Sequence, residues 1–358
     1  MIFLKCPRLE INLKKIKKNA SLIKNICKRQ NIEVVGITKG FCALLPIARS
    51  YYEGGITKFG DSRLLNLKRL TEGGIPGEKY LIRIPMLSEV LTAVKWSDVS
   101  LNSEIETIKA LGVEAKKQNK SHSIILMVDV GDLREGVLPE DVINIVKSIS
   151  IIQGVNFVGL GLNVGCFGGV LPSFKNTMIL VELAKEIKQK LGLEVDILSG
   201  GTTSGLVLIE KGELALGINQ FRVGEGIIIG TDTTGERNIK GTYQDTIKLV
   251  AEVIELKKKP SVPIGEIGRD GFGNKPHFEN KGIRLRAILA IGRQDVTLEK
   301  LIPEDSRIEV LGGSSDHLIV DVTESSDNFY IGKEVYFKLT YATMLSLMTS
   351  EYVEKVYI

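Results

Sequence analysis

Val34-Val35-Gly36-Ile37-Thr38-Lys39-Gly40 is an apolar, β-branched run that ends on a lysine and a glycine. Such a run predicts a buried strand, and a lysine at its carboxyl end would carry its amine into a cleft. In a cleft, loss of solvent favours the neutral amine, which is the nucleophile of Schiff-base chemistry. The same pattern also fits a strand that simply ends on a solvated lysine. On this stretch alone, both interpretations remain open.

Apolar runs alternate with segments of helical period as far as residue 223. The runs predict strands at Val34–Thr38, Ile56–Gly60, Tyr80–Ile84, Val99–Asn102, Ile124–Val130, Asn156–Leu162, Val195–Ser199 and Ile218–Val223. The intervening and preceding segments predict helices at Leu13–Arg29, Leu64–Glu72, Ser103–Asn119, Pro139–Ile149, Phe174–Leu191 and Ser204–Lys211. About eight strands alternating with helices over roughly 220 residues are typical of a (β/α)8 barrel of the TIM type, and an open doubly wound sheet is the alternative.

After Gly230 the pattern changes, because glycine and proline become frequent and helical periodicity fades. Short runs there alternate apolar with polar residues, which predicts strands at Thr246–Ile254, Gly282–Ile291, Arg307–Leu311, Leu318–Val322 and Glu334–Leu339. The segment Gly230–Gly235 lacks apolar residues and marks the predicted connection. We therefore predict a barrel over residues 8–230 and a smaller β-rich domain over residues 231–358, which also includes residues 1–7.

The composition is ordinary for a folded protein, with 43% hydrophobic and 25% charged residues in a chain of 358. The net charge of +4 is spread over helical faces and aromatic residues make up only 6%, so we expect no nucleic-acid surface. Four scattered cysteines, at positions 6, 27, 42 and 166, lack metal-ligand spacing and indicate reduced thiols. No run approaches the ~20 apolar residues of a membrane span. We expect a cytoplasmic protein with no membrane partner and no metal.

In a (β/α)8 barrel the functional groups lie where the strands end, at their carboxyl ends. These positions hold Lys39, Asp129–Gly136, Gly161–Cys166, Ser199–Gly205 and Arg222–Gly226. The last two segments are glycine-containing turns after the seventh and eighth strands, where barrels commonly bind phosphate through backbone N–H groups. A phosphate site and an amine nucleophile on one rim indicate a phosphorylated aldehyde as the ligand.

The sequence resembles the alanine/ornithine racemase family of pyridoxal-phosphate enzymes, which have fold type III, and it is most similar to the ornithine racemase branch. The resemblance covers nearly the whole chain. Its carriers are Val-Asp-Val-Gly-Asp-Leu-Arg-Glu-Gly (128–136), Ser-Gly-Gly-Thr-Thr-Ser (199–204), Arg-Val-Gly-Glu (222–225), Pro-Ile-Gly-Glu-Ile-Gly (263–268), Phe-Gly-Asn-Lys-Pro (272–276) and Ser-Ser-Asp-His-Leu-Ile-Val-Asp-Val (314–322). It implies an alanine racemase-like fold and pyridoxal 5'-phosphate as the cofactor.

The resemblance implies an amino-acid racemase, an isomerase that interconverts L- and D-ornithine by aldimine exchange on Lys39 and by removal and return of the Cα proton. Racemisation of alanine, serine or lysine on the same fold is an alternative. A non-catalytic carrier or homeostasis protein for pyridoxal phosphate is another alternative. Such carriers resemble the first domain alone, so residues 230–358 argue against that interpretation.

The resemblance also implies roles for individual residues around the cofactor. Lys39 would hold the cofactor and act as an acid/base group at Cα. Arg222 would face the pyridine nitrogen, and because a guanidinium releases no proton it would restrain side reactions. Arg134 would approach the phenolic oxygen, and Asn163 takes the place where alanine racemases carry a histidine against the ring.

For the phosphate, the family pattern matches Thr203 and the backbone N–H groups of Gly224 and Glu225, with support from Ser199. Tyr352 lies near the position of a phosphate-contacting tyrosine at the family's carboxyl terminus, although it is offset from it.

The second face of the substrate needs its own acid/base group, which alanine racemases take from a tyrosine of the partner subunit. Here the aligned stretch 262–266 ends on Glu266, and Asp270 follows. Glu266 is a candidate for the base or for binding a distal ammonium group, and a plain surface glutamate is the alternative. The resemblance leaves the identity of the second base open.

The loop 312–317 matches the family segment near the substrate carboxylate, with Asp316 as the best candidate there and Ser315 beside it. If the loops of the second domain complete the site of a neighbouring subunit, as the family implies, the active form is a head-to-tail homodimer with shared active sites.

Overall fold

The computed structural model describes residues 5–358, which form two compact units. One unit is Leu13–Gln244, and the other joins the described residues up to Asn12 with Asp245–Ile358. The predicted domain boundaries stay a prediction, because two groups of contacts do not establish two independently folding domains. The placement of residues 1–4 in the second domain lies outside the described residues.

The described chain begins with strand β1 (Arg8–Ile11) and helix α1 (Leu13–Lys28), and a closed barrel of parallel strands follows. The barrel strands are β2 (Glu33–Ile37), β3 (Lys58–Asp61), β4 (Glu78–Leu81), β5 (Val99–Asn102), β6 (His122–Val128), β7 (Val155–Leu162), β8 (Ile197–Ser199) and β9 (Gln220–Val223). Strand β9 pairs with β2, for example Gly36 opposite Val223. This pairing closes the sheet, so the predicted TIM-type barrel is confirmed and the open sheet is excluded.

Helices follow the barrel strands, as the helical periodicity predicts. They are α2 (Leu45–Glu53), α3 (Leu64–Glu72), α4 (Val90–Trp96), α5 (Ile105–Lys117), α6 (Val142–Ser150), α7 (Phe174–Leu191), α8 (Leu206–Lys211) and α9 (Glu225–Ile228). Helix α7 begins with a capping box between Ser173 and Asn176 and ends on Gly192, whose φ of 71° suits glycine. The prediction missed α2, α4 and α9. None of the helices in residues 5–358 is both long and apolar enough to cross a membrane.

The interior of the barrel is filled by alternate strand residues, which form one buried apolar cluster. Val35 and Ile37 come from β2, Leu101 from β5, and Ile125 and Met127 from β6. Because side chains alternate along a strand, the next inward position after Ile37 is that of Lys39, two residues beyond the end of β2. The apolar core thus ends where the polar rim begins.

The second unit is β-rich, as predicted. The remaining elements of the chain are β10 (Thr231–Asp232) and β11 (Arg237–Asn238), which belong to the barrel unit, and then β12 (Ile247–Pro260), β13 (Ile283–Leu289), β14 (Ile302–Pro303), β15 (Glu309–Gly313), β16 (Leu318–Asp321), β17 (Glu334–Lys338), α10 (Tyr341–Thr349) and β18 (Glu354–Tyr357). The strand order is β14-β17-β12-β13-β16-β15, and β1 pairs with β12 and β18. The strands of this unit pair antiparallel except for β1 with β18, which are parallel. Arg8, which is 3% exposed, donates to both carboxylate oxygens of Glu334 at 2.6 and 2.9 Å and ties β1 to β17.

Candidate active site at the carboxyl rim of the barrel

Lys39 lies where β2 gives way to a 3-10 turn, Lys39–Phe41, and its side chain is half-buried. The preceding Thr38 donates its hydroxyl to Asp61 at 2.5 Å. Asp61 also accepts from the backbone N–H of Arg63 at 2.9 Å and from the amide of Asn66 at 3.0 Å. Burial raises the pKa of the Asp61 carboxyl, and these hydrogen bonds oppose that rise. The network anchors the backbone from which Lys39 extends.

Arg222 lies on β9, directly beside β2 in the barrel, and it is only 3% exposed. Its guanidinium donates to the hydroxyl of Ser199 at 2.5 Å and to the backbone carbonyl of Leu162 at 2.6 Å. These partners belong to the ends of β8 and β7, so three strands orient one side chain. Burial lowers the pKa of Arg222 to about 10, and the group therefore stays a cation at neutral pH.

The two glycine-containing turns after β8 and β9 each start a short helix. Thr202 precedes the 3-10 helix Thr203–Gly205, and Gly224 precedes α9. Within residues 5–358, the N-cap residues Thr202 and Gly224 make no side-chain hydrogen bond to the backbone N–H groups of the helices that they precede. The first N–H groups of a helix have no partner inside it, so these turns can offer backbone donors to an anion, apart from the N–H of Gly226, which binds Thr203.

Thr203 joins these two turns, because its hydroxyl accepts from the backbone N–H of Gly226 at 3.2 Å. The carboxylate of Glu225 is engaged elsewhere, since it accepts from the hydroxyls of Thr231 and Thr233, both at 2.6 Å. Burial raises the pKa of this carboxyl, against the effect of its hydrogen bonds. Glu225 thus holds the following segment with its side chain and leaves its backbone N–H at the helix start.

Asp132 links the loop after β6 to the loop after β7, and it is 1% exposed. Its carboxylate accepts backbone N–H groups from Gly165 at 3.0 Å, Phe167 at 3.1 Å and Val170 at 3.3 Å. Burial alone would raise the pKa of Asp132, but these donors outweigh it and the pKa falls. The sequence pattern does not reveal this role of Asp132, because its hydrogen-bond partners lie more than thirty residues away, at positions 165–170.

Arg134 and Asn163 extend from these two loops. Arg134 pairs through Nε and one terminal nitrogen with both carboxylate oxygens of Glu135, and this pairing raises the pKa of Arg134. Asn163 is 6% exposed, and its carbonyl oxygen accepts from the Cys166 thiol at 3.7 Å. Its amide nitrogen has no hydrogen-bond partner among the described residues. Leaving such a donor unpaired costs roughly 1–3 kcal/mol, which indicates a ligand at this position.

The rim residues fit a phosphorylated aromatic aldehyde. An amine is available in Lys39, the backbone N–H groups at the two helix starts, apart from that of Gly226, can receive a phosphate, and the Asn163 amide, which has no partner among the described residues, can donate to a ring substituent or a substrate. Pyridoxal phosphate has this combination of groups. The barrel unit therefore brings together Lys39, Arg134, Asn163, Ser199, Thr203, Arg222, Gly224 and Glu225, and their roles toward the cofactor stay predictions.

The second unit carries Glu266 and Asp270 in the long connection between β12 and β13. Glu266 is exposed. The carboxylate of Asp270 accepts the backbone N–H groups of Asn274 at 2.8 Å and Phe272 at 2.9 Å, and these bonds lower its pKa. Asp270 therefore binds the backbone N–H groups of its own loop and is a half-buried anion.

The hairpin between β15 and β16 carries Ser315 and Asp316. One carboxylate oxygen of Asp316 accepts from the hydroxyl of Ser315 at 3.1 Å, the hydroxyl of Ser314 at 3.2 Å and the ring of His317 at 3.0 Å. These bonds lower the pKa of Asp316.

Tyr352 follows α10 and is 66% exposed. The roles predicted for these residues of the second unit stay predictions.

Comparison with known proteins shows which family this chain is similar to. Residues 11–232 match the family described as alanine racemase, N-terminal domain. The chain is 44% identical over 350 residues to the ornithine racemase of Acetoanaerobium sticklandii, covering 98% of this chain and 99% of the relative. It is 42% identical over 351 residues to the lysine racemase of Thermotoga maritima, with 98% of each covered. The crystal structure of alanine racemase from Bacillus anthracis with bound L-Ala-P superposes with a TM-score of 0.75 at 15% identity, over 100% of this chain and 96% of that chain, and this likeness concerns the fold.

Proposed function

The chain belongs to the alanine racemase N-terminal domain family, and from this premise we propose that it is a pyridoxal-phosphate-dependent amino-acid racemase that interconverts L- and D-ornithine. Nearly full-length similarity to an ornithine racemase and a lysine racemase supports both the reaction and the substrate class. Ornithine and lysine share a second, distal amino group. Lysine is therefore the alternative substrate that a specific finding favours.

Pyridoxal phosphate, when bound, supplies an electron-withdrawing ring that stabilises negative charge at the substrate Cα. Lys39 would attach it and would take or return the Cα proton on one face. Asn163 would donate its unpaired amide hydrogens to a ligand oxygen. The turns that begin at Thr202 and Gly224 would hold the phosphate through their backbone N–H groups.

Arg222 is held by Ser199 and Leu162 in one orientation, so it can donate to a ring nitrogen without rotating. Because it remains a cation, it does not pass a proton to that nitrogen. By supplying no proton, Arg222 would keep a bound ring only moderately electron-withdrawing, which would limit side reactions at the substrate Cα. This restraint suits racemisation, in which the proton has to return to the same carbon.

The second face of the substrate is assigned by proposal to Glu266 or Asp270, with Ser315 and Asp316 near the substrate carboxylate and Tyr352 near the phosphate. Because these residues are exposed or half-buried in the second unit, we infer that they serve the site of a partner subunit in a homodimer. The four cysteines are free thiols, which supports the proposed cytoplasmic location.

The observation that carries the proposal is that one rim of the barrel holds Lys39, just past the end of β2, and the buried, oriented guanidinium of Arg222 on the neighbouring strand β9. The test is exchange of the Cα proton with solvent deuterium on protein loaded with pyridoxal phosphate, across ornithine, lysine, alanine and serine. We expect the fastest exchange with ornithine. Nα-acetyl-L-ornithine is the matched control and should not exchange, because its α-amine is blocked.

Fastest exchange with lysine would shift the substrate assignment within the same reaction. Cofactor binding without exchange in any amino acid would instead favour the carrier interpretation and overturn the proposed racemase.

A further inference from the structure

We propose that Glu135 is a positioning residue, which holds the Arg134 guanidinium in one orientation at the barrel rim and balances the charge of two arginines there. This inference rests on the proposed function, since Arg134 matters only if the rim binds the cofactor. No role for Glu135 follows from the sequence, in which it is simply the residue after Arg134.

The geometry of the pair is the first argument. Both carboxylate oxygens of Glu135 accept from Arg134, one from Nε and one from a terminal nitrogen. A two-point pairing fixes the plane of a guanidinium as well as its position, whereas a free arginine at the surface samples many rotamers. Side-chain exposure is 37% for Arg134 and 19% for Glu135. The pairing uses one edge of the guanidinium and leaves the other terminal nitrogen to meet a ligand.

The charges around the pair are the second argument. Arg134 lies close enough to Arg222 to disfavour its charge, while Glu135 favours the charge of both arginines. Two guanidiniums at one rim would otherwise repel, and the carboxylate of Glu135 offsets that repulsion.

The loop itself does not depend on Glu135. Asp129 accepts the backbone N–H groups of Gly131 at 2.8 Å and Leu133 at 3.2 Å. The backbone N–H of Asp129 donates to the carbonyl of Val137, and the N–H of Val137 donates to the carbonyl of Met127 on β6, both at 2.9 Å. Asp132 then binds the neighbouring loop. The backbone is therefore held by other groups, and loss of the Glu135 charge should disturb Arg134 rather than the fold.

The test compares Glu135→Gln with a matched control, Glu210→Gln. Glu210 forms a two-point pair with Arg237, at 2.7 and 3.3 Å, with 27% and 23% exposure of the two side chains. The measurements are the Kd of the apoprotein for pyridoxal phosphate, the kcat and KM of Cα exchange with ornithine, and the melting temperature of the apoprotein.

We expect Glu135→Gln to lower kcat about tenfold and to raise the cofactor Kd several-fold, because an unanchored guanidinium loses a preorganised contact. Glu210→Gln should stay within about twofold of wild type in both quantities. The apoprotein melting temperatures of the two variants should agree, and Glu135→Asp should recover part of the lost kcat.

A second variant guards against a folding defect. Arg134→Lys keeps the charge but cannot make the two-point pair, so it should reproduce the kinetic loss, and adding Glu135→Gln to it should cost little more. Fully additive losses, or a Glu135→Gln protein that behaves as Glu210→Gln does, would overturn this inference alone. A wild-type protein that neither binds the cofactor nor exchanges a proton would overturn the proposed function and this inference with it.

Discussion

The rim of the barrel and the loops of the second unit hold their polar residues in opposite ways. At the rim, Ser199, Thr203 and Arg222 are at most 5% exposed, and each is bound to a group from another strand end or turn. In the second unit, Glu266 is exposed, and Asp270 and Asp316 bind hydrogen donors of their own loops. The rim is thus preorganised by its own chain, whereas the loops are rigid locally and open outward.

Apolar side chains sharpen this contrast. The connection between β12 and β13 exposes Ile264 at 93%, Phe272 at 49% and Ile267 at 42%. Exposed apolar residues that cluster in one loop are typical of a surface that another protein covers. This difference is what we expect if, as proposed above, a partner copy completes the substrate side of the site.

The largest expected effect is at the rim. Lys39→Ala should reduce Cα exchange by about 10³-fold or more, because no other amine replaces the attachment point and the acid/base group. Deuterium incorporation at the ornithine Cα measures it. Lys68→Ala is the control, since Lys68 lies on α3, is 45% exposed and forms a surface ion pair with Glu72 at 3.8 Å. Full activity of Lys39→Ala would show that the rim lysine is not the reactive amine.

The next effect concerns the exposed loop. Ile264→Asp should weaken the proposed homodimer about 100-fold, because it places a charge in an apolar interface. Analytical ultracentrifugation over a dilution series measures this. Leu216→Asp is the matched control, because Leu216 lies in the barrel unit and is also 93% exposed. Equal self-association of both variants would remove the role assigned to the loop between β12 and β13.

A pair of serines compares the two regions directly. Ser199→Ala should lower the free energy of unfolding by about 1–3 kcal/mol, because a donor of the buried Arg222 loses its acceptor. Ser315→Ala should change it by less than about 0.5 kcal/mol, since Ser315 is exposed. Urea unfolding of the apoprotein measures both. If the two substitutions cost the same, the contrast between a preorganised rim and an open loop does not hold.

The smallest effect is a pH dependence of stability that distinguishes a buried from an exposed histidine. His122, on β6, is 1% exposed and its ring is 2.8 Å from the Ser100 hydroxyl. Burial lowers its pKa to about 4. The unfolded chain binds a proton below about pH 6.5 that the folded chain refuses, so this contribution is complete above pH 6.5 and is lost as the pH falls toward 4.

At pH 5.5, His122 should therefore account for about 1 kcal/mol of lost stability relative to pH 7. Urea unfolding measures the free energy of unfolding at both pH values. In His122→Asn, the difference between the two values should be smaller than in wild type by about 1 kcal/mol. His277→Asn, which changes an exposed residue of the second unit, should keep the wild-type difference. An unchanged difference in His122→Asn would contradict the assignment.

Much of the barrel follows from local pattern. Helices α3 and α7 begin and end at the predicted residues, because their apolar positions repeat at helical spacing and glycines follow both. The prediction missed α2, α4, α9 and α10, which have between four and nine residues. Length alone does not explain these misses, since α3 has nine residues and α8 has six, and both were predicted.

The sequence predicted which residues lie at the site, but it did not predict which of them contact one another. Lys39, Arg222 and the two glycine-containing turns end strands, and this is visible in the order of residues. The pairing of Arg222 with Ser199 and the binding of residues 165–170 by Asp132 join groups that are 23 to 38 residues apart. No periodicity reports such partners, since they depend on which strand ends become neighbours when the barrel closes.

The sequence by itself determined the alternation of strands and helices, the change to a β-rich second half and the residue types at the strand ends, because these depend on side-chain period and turn chemistry along the chain. Only the tertiary structure decided that the amide nitrogen of Asn163 has no partner among the described residues, that both carboxylate oxygens of Glu135 pair with Arg134, and that Asp270 and Asp316 accept hydrogen bonds from their own loops. Hydrogen bonding and charge balance are properties of neighbours in space, and neighbours exist only once the chain has folded.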